Sequence, residues 1–337
     1  MATIYDIAAK ANVSAMTVSR VINDTGKVSE KTRAKVRKVM EELNYVPNQT
    51  ARSLVLQQTR TLFLLIADIM NPFYTTLARG AEDAARANGY RLLFGNSDEN
   101  LDKEAEYIDT ILTTRADGAL IAPAGDPSLP HMEKLRTHNV PVVLLDREIP
   151  GMACDIVLGD SEEGSRMLVQ HLIDQGHRSI AMVNGSVSIS SARHRLAGYL
   201  EAMKQNDLPV AESRIHETSF GPINDLTAME DWFARLDPKP TAIVAGNNVL
   251  AAEMLRLLHA RGLNVPQDIS LVCFDDFGPF SEPEPFMTVA RQQAYEFGYK
   301  GTQLLCERIE DREGKLSERR IVLPADLVVR RSVRPIS

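Results

Sequence analysis

The first 45 residues place apolar side chains at a helical period. One stripe has the spacing i, i+3, i+4, i+7 and consists of Ile4, Ile7, Ala8 and Ala11. Thr3 precedes this stripe and Asp6 follows Thr3 by three positions, which is the arrangement of a capping box. The pattern therefore predicts a short helix that begins after Thr3 and buries one face.

A second helix is predicted after Ser14, and its apolar and polar positions lie on separate faces. The inward positions are Val18, Val21 and Ile22. The outward positions are Met16, Arg20 and Asn23, with Thr17 and Ser19 beside them. A third helix after Ser29 closes the small core with Val36, Val39, Met40 and Leu43. A short, basic outward face fits the DNA major groove, whereas the alternative is a three-helix subdomain without a nucleic-acid partner.

From residue 61 onward, short apolar runs alternate with helical stretches. The apolar runs of the first half are TLFLLIAD, YRLLFG, GALIAP and VPVVLLD, and they are separated by helical patterns at 77–88, 101–114 and 130–139. The second half repeats this order with SIAMVN, TAIVAGNN and ISLVCFDD and with helical patterns at 195–206 and 249–261. We therefore expect an α/β fold with two doubly wound parallel-sheet lobes. Near Val289 the chain is expected to return to the first lobe for a helix at 295–310, and RIVLP to lead it back to the second.

The net charge of −7 conceals an asymmetry along the chain. Residues 1–60 contain ten Lys or Arg and five Asp or Glu, a balance of +5, so the remainder carries −12. The phosphates of DNA repel an acidic body, but they attract a basic head. The charge distribution therefore favours nucleic-acid binding by the head alone.

A short segment connects the head to the body. Pro47 ends the preceding helical pattern, and Asn48 is placed to cap about two turns of helix over 48–56. Helices of that length are unstable in isolation. The segment by itself is compatible with a plain linker or with a helix that forms only with a partner.

The motifs YDIAAKANVSAMTVSRVIN, VSEKTRAKVRKVMEELNYVPN and ARSL, in this order and spacing, resemble the head and hinge of the lactose-repressor (LacI/GalR) family of bacterial transcription regulators. The resemblance extends through nearly the whole chain. It implies that Ala15, Met16 and Arg20 discriminate operator bases. It further implies that the DNA backbone is held mostly by Tyr5, Ser14, Thr17, Ser19, Asn23, Val28, Ser29 and Thr32.

The same resemblance implies a homodimer whose hinge helices fold together in the minor groove. The hinge residues would be Asn48, Ala51 in the helix pair and Leu54, wedged between base steps. The body would resemble periplasmic sugar-binding proteins, with three crossovers and a cleft between lobes. The expected boundaries are 1–46 for the helix-turn-helix head, 47–60 for the hinge helix and linker, 61–159 with 290–320 for the N-lobe, and 160–289 with 321–337 for the C-lobe.

Polar side chains follow several predicted strands, where parallel sheets commonly bind ligands. By position, the resemblance implies an effector site formed by Tyr74, Asp146, Ser191, Arg193, Arg195, Phe220, Asn247, Asp275 and Gln292. Asn71 and Pro72 are expected to shape a loop, and Asp276 to be structural. Ile189 stands where some purine-binding relatives have Arg, which argues against a purine effector.

Enzymatic activity has no support in the motifs. The sequence has no GxGxxG, GxxxxGK[ST] or GxSxG pattern, its three cysteines are scattered, and its histidines lack metal-ligand spacing. We expect no cofactor and no metal. No apolar stretch approaches the roughly 20 residues of a membrane span, and the single cysteines favour a reducing cytoplasm.

We therefore expect a cytoplasmic repressor that binds a near-palindromic operator as a homodimer and responds to a small metabolite, such as a sugar or sugar derivative. The alternatives are control by a protein corepressor, for which the acidic segment 97–104 could be a docking surface or merely a solvated helix start, and a cytosolic sugar-binding protein or enzyme.

Overall fold

The computed structural model describes residues 2–45, 58–221, 226–278, 285–311 and 313–336. The chain divides into two compact units, Met1–Thr59 and Arg60–Ser337. Three residues of the expected hinge, Asn48, Ala51 and Leu54, lie outside the described residues, so their roles stay predictions.

The first unit consists of the three expected helices, α1 (Ile4–Ala11), α2 (Ala15–Asn23) and α3 (Glu30–Glu42). Each begins at a hydroxyl cap, because the side chains of Thr3, Ser14 and Ser29 accept a backbone N–H three residues later. The fully buried core consists of Ile7, Ala8, Ala11, Val18, Val21, Val36 and Val39. Local sequence signals therefore predicted this unit correctly.

The second unit contains twelve strands and eight α-helices within its described part. The strands are β1 (Thr61–Ile66), β2 (Arg91–Asn96), β3 (Gly118–Ile121), β4 (Val142–Leu145), β5 (Asp155–Gly159), β6 (Ile180–Gly185), β7 (Ile215–Thr218), β8 (Ala242–Ala245), β9 (Ser270–Phe274), β10 (Thr288–Arg291), β11 (Arg320–Leu323) and β12 (Asp326–Val328). The helices are α4 (Pro72–Ala87), α5 (Leu101–Thr113), α6 (Leu129–Thr137), α7 (Ser161–Asp174), α8 (Ser190–Gln205), α9 (Thr227–Arg235), α10 (Asn248–Ala260) and α11 (Ala294–Glu310).

Two six-stranded sheets define two lobes, as the alternating pattern predicted. The first sheet has the strand order β11-β5-β4-β3-β1-β2 and is parallel throughout. The second has the order β12-β10-β9-β8-β6-β7 and is parallel except for β12, which pairs antiparallel with β10. Apolar side chains pack on both faces of each sheet, which explains why the central strands are continuous apolar runs.

One predicted strand lies in a different lobe from the one that the sequence indicated, and one predicted lobe boundary falls inside a strand. The RIVL strand, β11, pairs with β5 in the first sheet rather than returning the chain to the second. Conversely, β10 pairs with β9 in the second sheet, although residues 290 and 291 were assigned to the first lobe. Short apolar runs specify a strand but not its neighbour, so the pattern could not assign either one. Six elements were not predicted from the sequence: β5, β7, β10, β12, α7 and α9.

The first lobe is closed by a very tight contact between α4 and α11. A Cβ atom on Gly80 would lie 2.0 Å from the carbonyl oxygen of Tyr295, and one on Gly298 would lie 1.9 Å from that of Leu77. Only glycine permits two helix backbones to approach this closely. The return of α11 from the second sheet to the first lobe therefore depends on these two positions.

We expect Gly298→Ala to destabilise the protein by about 1–3 kcal/mol or more, because the added methyl group forces α4 and α11 apart. Urea unfolding followed by circular dichroism would measure the change. Gly221→Ala is the matched control, since a Cβ atom there meets nothing within 4 Å. Equal unfolding midpoints for the two variants would contradict this account of the helix contact.

Candidate functional site

The outward face of α2 carries one long basic and one long apolar side chain. Arg20 is exposed, and Met16 is 65% exposed. Tyr5 on α1 is 72% exposed. Val18 and Val21 point into the core, so the predicted separation of the two faces of α2 is present. These three are the long side chains among the predicted DNA contacts that are exposed on the first unit.

Several other predicted DNA contacts make hydrogen bonds or are partly buried within the first unit. The hydroxyls of Thr17 and Thr32 lie 2.9 Å from those of the caps Ser14 and Ser29. Partly buried side chains are found at Ala15, Ser19, Asn23 and Val28, and Asn23 Nδ2 donates to Ser19 Oγ. Ion pairs connect Lys10 with Glu42 and Arg33 with Asp24. Exposed cations on this unit include Lys27, Lys31, Lys35, Arg37 and Lys38.

In the second unit, side chains from both lobes line one cleft. Seven predicted effector residues are among them: Tyr74, Asp146, Ser191, Arg195, Phe220, Asn247 and Asp275. We call it the effector cleft after this prediction; its free volume is only about 20 Å³. That volume holds about one water molecule. The fold thus brings together side chains that are about 200 positions apart in sequence.

Two aspartates occupy equivalent places in the two lobes. Asp146 follows β4 and Asp275 follows β9, and both have φ of 65°. Each donates its backbone N–H to the neighbouring strand, at Val157 and Ala290 respectively. Asp adopts this left-handed conformation more readily than most residues, and here it turns a carboxylate into the cleft as the strand ends.

Asp275 lies in a network within the second lobe. Gln292 Nε2 donates to Asp275 Oδ1 at 2.9 Å, and Arg195 Nη2 lies 3.8 Å from Asp275 Oδ2. Arg195 also donates to the carbonyl of Gly246 and lies over the ring of Phe274 at 4.1 Å. Burial raises the pKa of Asp275 to about 6, although Arg195 and Gln292 oppose the shift. Gln292 therefore supports the carboxylate of Asp275 without lining the cleft itself.

A second network surrounds Asp146 in the first lobe. The Tyr74 hydroxyl donates to Asp146 Oδ2 at 2.9 Å, and burial raises the pKa of Tyr74 well above its ordinary value. Arg147 Nε lies 3.5 Å from the same carboxylate oxygen. Arg147 Nη2 donates to Glu99 Oε1 at 2.5 Å, and its Nη1 donates to the carbonyl of Pro123. Burial lowers the pKa of Arg147, but Tyr74, Glu99 and Asp146 together raise it.

Five further residues that the sequence analysis did not assign to the site line the cleft: Asp68, Asn71, Phe73, Glu99 and Arg147. Asn71 has the expected loop role, since it caps α4. Its Oδ1 also accepts a hydrogen bond from Asn248 across the lobes at 3.1 Å. Asp68 and Arg147 follow strands, which is a usable signal. No comparable sequence signal pointed to Glu99, because segment 97–104 was interpreted as a docking surface or a helix start.

The structure places Arg193 outside the cleft. It donates to both carboxylate oxygens of Asp126 in the first lobe, at 2.7 and 3.2 Å. Beside it, His194 Nε2 lies 3.3 Å from Glu148 Oε1. In the first turns of α8, Ser191 thus lines the cleft, whereas Arg193 and His194 lie outside it and contact the opposite lobe. We call these two contacts the rim contacts.

The structural role expected of Asp276 agrees with its observed contacts, and the structure also shows where Ile189 lies. Asp276 pairs with Arg330, which lowers the pKa of Asp276. Ile189 precedes α8 and is buried in the core of the second lobe. Across the described ranges, no group of three or more His, Cys, Asp or Glu is placed to hold a metal ion, and no helix is long and apolar enough to cross a membrane.

Comparison with known proteins covers both units. Residues 3–48 match the family model for bacterial regulatory proteins of the lacI family, and residues 169–333 match a periplasmic binding protein-like domain. The ribose operon repressor of Bacillus subtilis (strain 168) is 36% identical over 334 residues, covering 99% of each chain.

Solved structures are similar over the same length. The lac repressor dimer bound to operator and the anti-inducer ONPF has a TM-score of 0.83 and 27% identity, with 99% of each chain covered. The complex of the transcriptional regulator CelR with cellobiose has a TM-score of 0.72 and 29% identity, covering 98% of this chain and 100% of the other.

The raised pKa of Asp275 gives a pH dependence of a definite sign. Its ordinary value is 3.8. Between about pH 4 and pH 6 the folded protein holds a proton that the unfolded chain has lost, so this group lowers the unfolding free energy as pH rises. Asp275→Asn should remove this decrease in the unfolding free energy, which amounts to about 3 kcal/mol over the whole pH range. Urea unfolding at several pH values measures it, and a stability difference between wild type and variant that stays constant from pH 4 to pH 7 would contradict it.

Proposed function

Because this chain belongs to the LacI family of bacterial regulatory proteins, we propose that it is a cytoplasmic, sequence-specific repressor of transcription. Its affinity for a near-palindromic operator would be controlled by a small metabolite in the effector cleft. The observation that carries this proposal is the combination, in one chain, of a basic helix-turn-helix unit and a two-lobed unit whose cleft concentrates buried polar groups. A regulatory role, rather than catalysis, accounts for both.

The first unit supports DNA binding through α2. Arg20 is long and exposed enough to reach a base edge, and guanine is its best partner in the major groove. Ala15 and Met16, the other two positions proposed to discriminate bases, are non-polar. We therefore propose that contacts with thymine methyl groups carry part of the operator sequence preference.

The effector cleft supports a sugar or sugar derivative as the controlling metabolite. The carboxylates of Asp146 and Asp275 accept hydrogen bonds, and the guanidinium groups of Arg147 and Arg195 donate them. Phe220 offers an apolar face for a sugar ring. Because one similar protein is a ribose operon repressor, D-ribose is the first compound to test.

The small volume of the cleft connects ligand binding to lobe movement. Sites for small molecules commonly enclose about 300–1,000 Å³, far more than the free space here. A ligand therefore requires the lobes or their side chains to move apart. We propose that this movement determines whether the paired hinge segments, with Ala51 and Leu54, fold on DNA.

A homodimer is supported by exposed apolar side chains on the first lobe. β2 is an edge strand, and Leu93 and Phe94 on it are each 40% exposed. Met70, near the end of β1, is 79% exposed. Its neighbour Ile69 donates its backbone N–H to Asn96 of β2. An apolar patch on a sheet edge requires cover in water, and a second copy of the chain would provide it.

We expect Arg20→Ala to weaken operator binding and relax one base preference by about 1–3 kcal/mol. Selection from a randomised operator library, followed by affinity measurements at fixed salt, would measure the change. Lys204→Ala, which removes an exposed positive charge from α8, is the control for net charge. Retention of the full base preference in Arg20→Ala would contradict the assignment.

We expect D-ribose to raise the melting temperature of the protein and to release or absorb heat on binding. Asp275→Ala should weaken this binding about 10- to 100-fold, because hydrogen bonds to a charged group contribute roughly 1.5–3 kcal/mol. Asp231→Ala removes an exposed carboxylate of α9 and serves as the control. Wild-type affinity in Asp275→Ala would exclude this carboxylate from the effector site.

A further inference from the structure

Glu99 borders two neighbouring cavities of the second unit. It lines the effector cleft and also a wider space of about 730 Å³. We call this wider space the mouth; its wall includes Glu217 and Ser219 of the second lobe together with Asp98 of the first. A ligand that enters the cleft through the mouth passes the carboxylate of Glu99.

The guanidinium of Arg147 is held in place by Glu99. Arg147 is only 3% exposed, and its Nη2 and Nη1 donate to Glu99 and to the carbonyl of Pro123. Its Nε lies 3.5 Å from Asp146 Oδ2 and, within the described part of the chain, has no hydrogen-bond partner. Glu99 thus orients Arg147 and neutralises the charge of its guanidinium.

The acidic side chains of the cleft outnumber its basic side chains. Its acidic side chains are Asp68, Glu99, Asp146 and Asp275, and its basic side chains are Arg147 and Arg195. Both arginines already face carboxylates, and Asp98 at the mouth is paired with Lys103. Recognition of phosphate commonly relies on an arginine fork that is free to bind it. Here, each guanidinium already faces a carboxylate, and the four acidic side chains outnumber the two basic ones.

We infer that Glu99 is a specificity-determining residue, which makes the cleft select uncharged sugars and reject phosphorylated ones. This inference rests on the proposed function, because it concerns the ligand of the same cleft. Glu99 acts in two ways. It neutralises the positive charge of Arg147, so that this charge does not attract an anionic ligand. It also adds a negative charge between the mouth and the cleft.

The backbone around Glu99 fixes its position. Asp98 and Glu99 have φ of 52° and 56°, so two successive residues other than glycine are left-handed. Asn96 Nδ2 donates to Asp98 Oδ1 at 2.6 Å, and Asn100 donates its backbone N–H to the carbonyl of Ser97. Strained conformations of this kind persist only when neighbouring contacts hold them. The loop therefore keeps the Glu99 carboxylate against Arg147.

The test compares D-ribose with D-ribose 5-phosphate by isothermal titration calorimetry on the full chain. Wild type should bind ribose and reject the phosphate. Glu99→Gln retains an oxygen acceptor for Arg147 but removes the negative charge. We expect it to raise affinity for ribose 5-phosphate relative to ribose by about tenfold, or ~1.4 kcal/mol. Asp102→Asn removes an exposed carboxylate from the same segment and should leave the ratio unchanged.

A second variant guards against misfolding of Glu99→Gln. Glu217→Gln removes charge from the mouth without touching Arg147, and it should raise phosphate affinity by a smaller factor, about threefold. Comparable binding of both ligands by wild type, or an unchanged ratio in the two variants, would overturn the role of Glu99. Absence of any sugar binding by wild type would instead refute the proposed effector class.

Discussion

Charged side chains buried between the two lobes must be paired, and this requirement organises the effector cleft. Leaving a single charge unpaired in such a site costs several kcal/mol. Arg147 is therefore placed between Glu99 and Asp146, and Arg195 between Asp275 and the carbonyl of Gly246. Binding of a ligand must replace some of these contacts with others of equal strength. We propose that this exchange couples ligand binding to the relative position of the two lobes.

The lobes are also joined outside the cleft. The rim contacts of Arg193 with Asp126 and of His194 with Glu148 come from the same helix, α8, that directs Ser191 and Arg195 inward. One helix therefore contributes side chains both to the cleft and to the contacts with the opposite lobe. A ligand that displaces the inner side of α8 must also act on these rim contacts.

Local chemistry made several features predictable. A hydroxyl cap followed by an apolar stripe needs no distant partner, so Thr3, Ser14 and Ser29 mark their helices directly. Polar residues at the ends of parallel strands converge on one edge, which explains why Asp146, Asn247 and Asp275 meet in the cleft. Arg193 and Glu99 differ because neither follows a strand. The contact of Arg193 depends on the loop that the opposite lobe brings near it, and the contact of Glu99 depends on a distant loop of its own lobe, the one that follows β4.

The sequence by itself determined the three-helix head, the two α/β lobes and the cleft side chains that follow strands, because helix caps, apolar periods and strand ends are local properties. Ser191, Arg195 and Phe220 were expected at the cleft only from the family resemblance. Tertiary structure alone decided that β11 joins the first sheet, that Arg193 binds Asp126, and that Glu99 neutralises Arg147. The physical reason is that each of these depends on a pairing between segments far apart in the chain. Such pairings are selected by packing and charge compensation in the folded state, which no single stretch of residues contains.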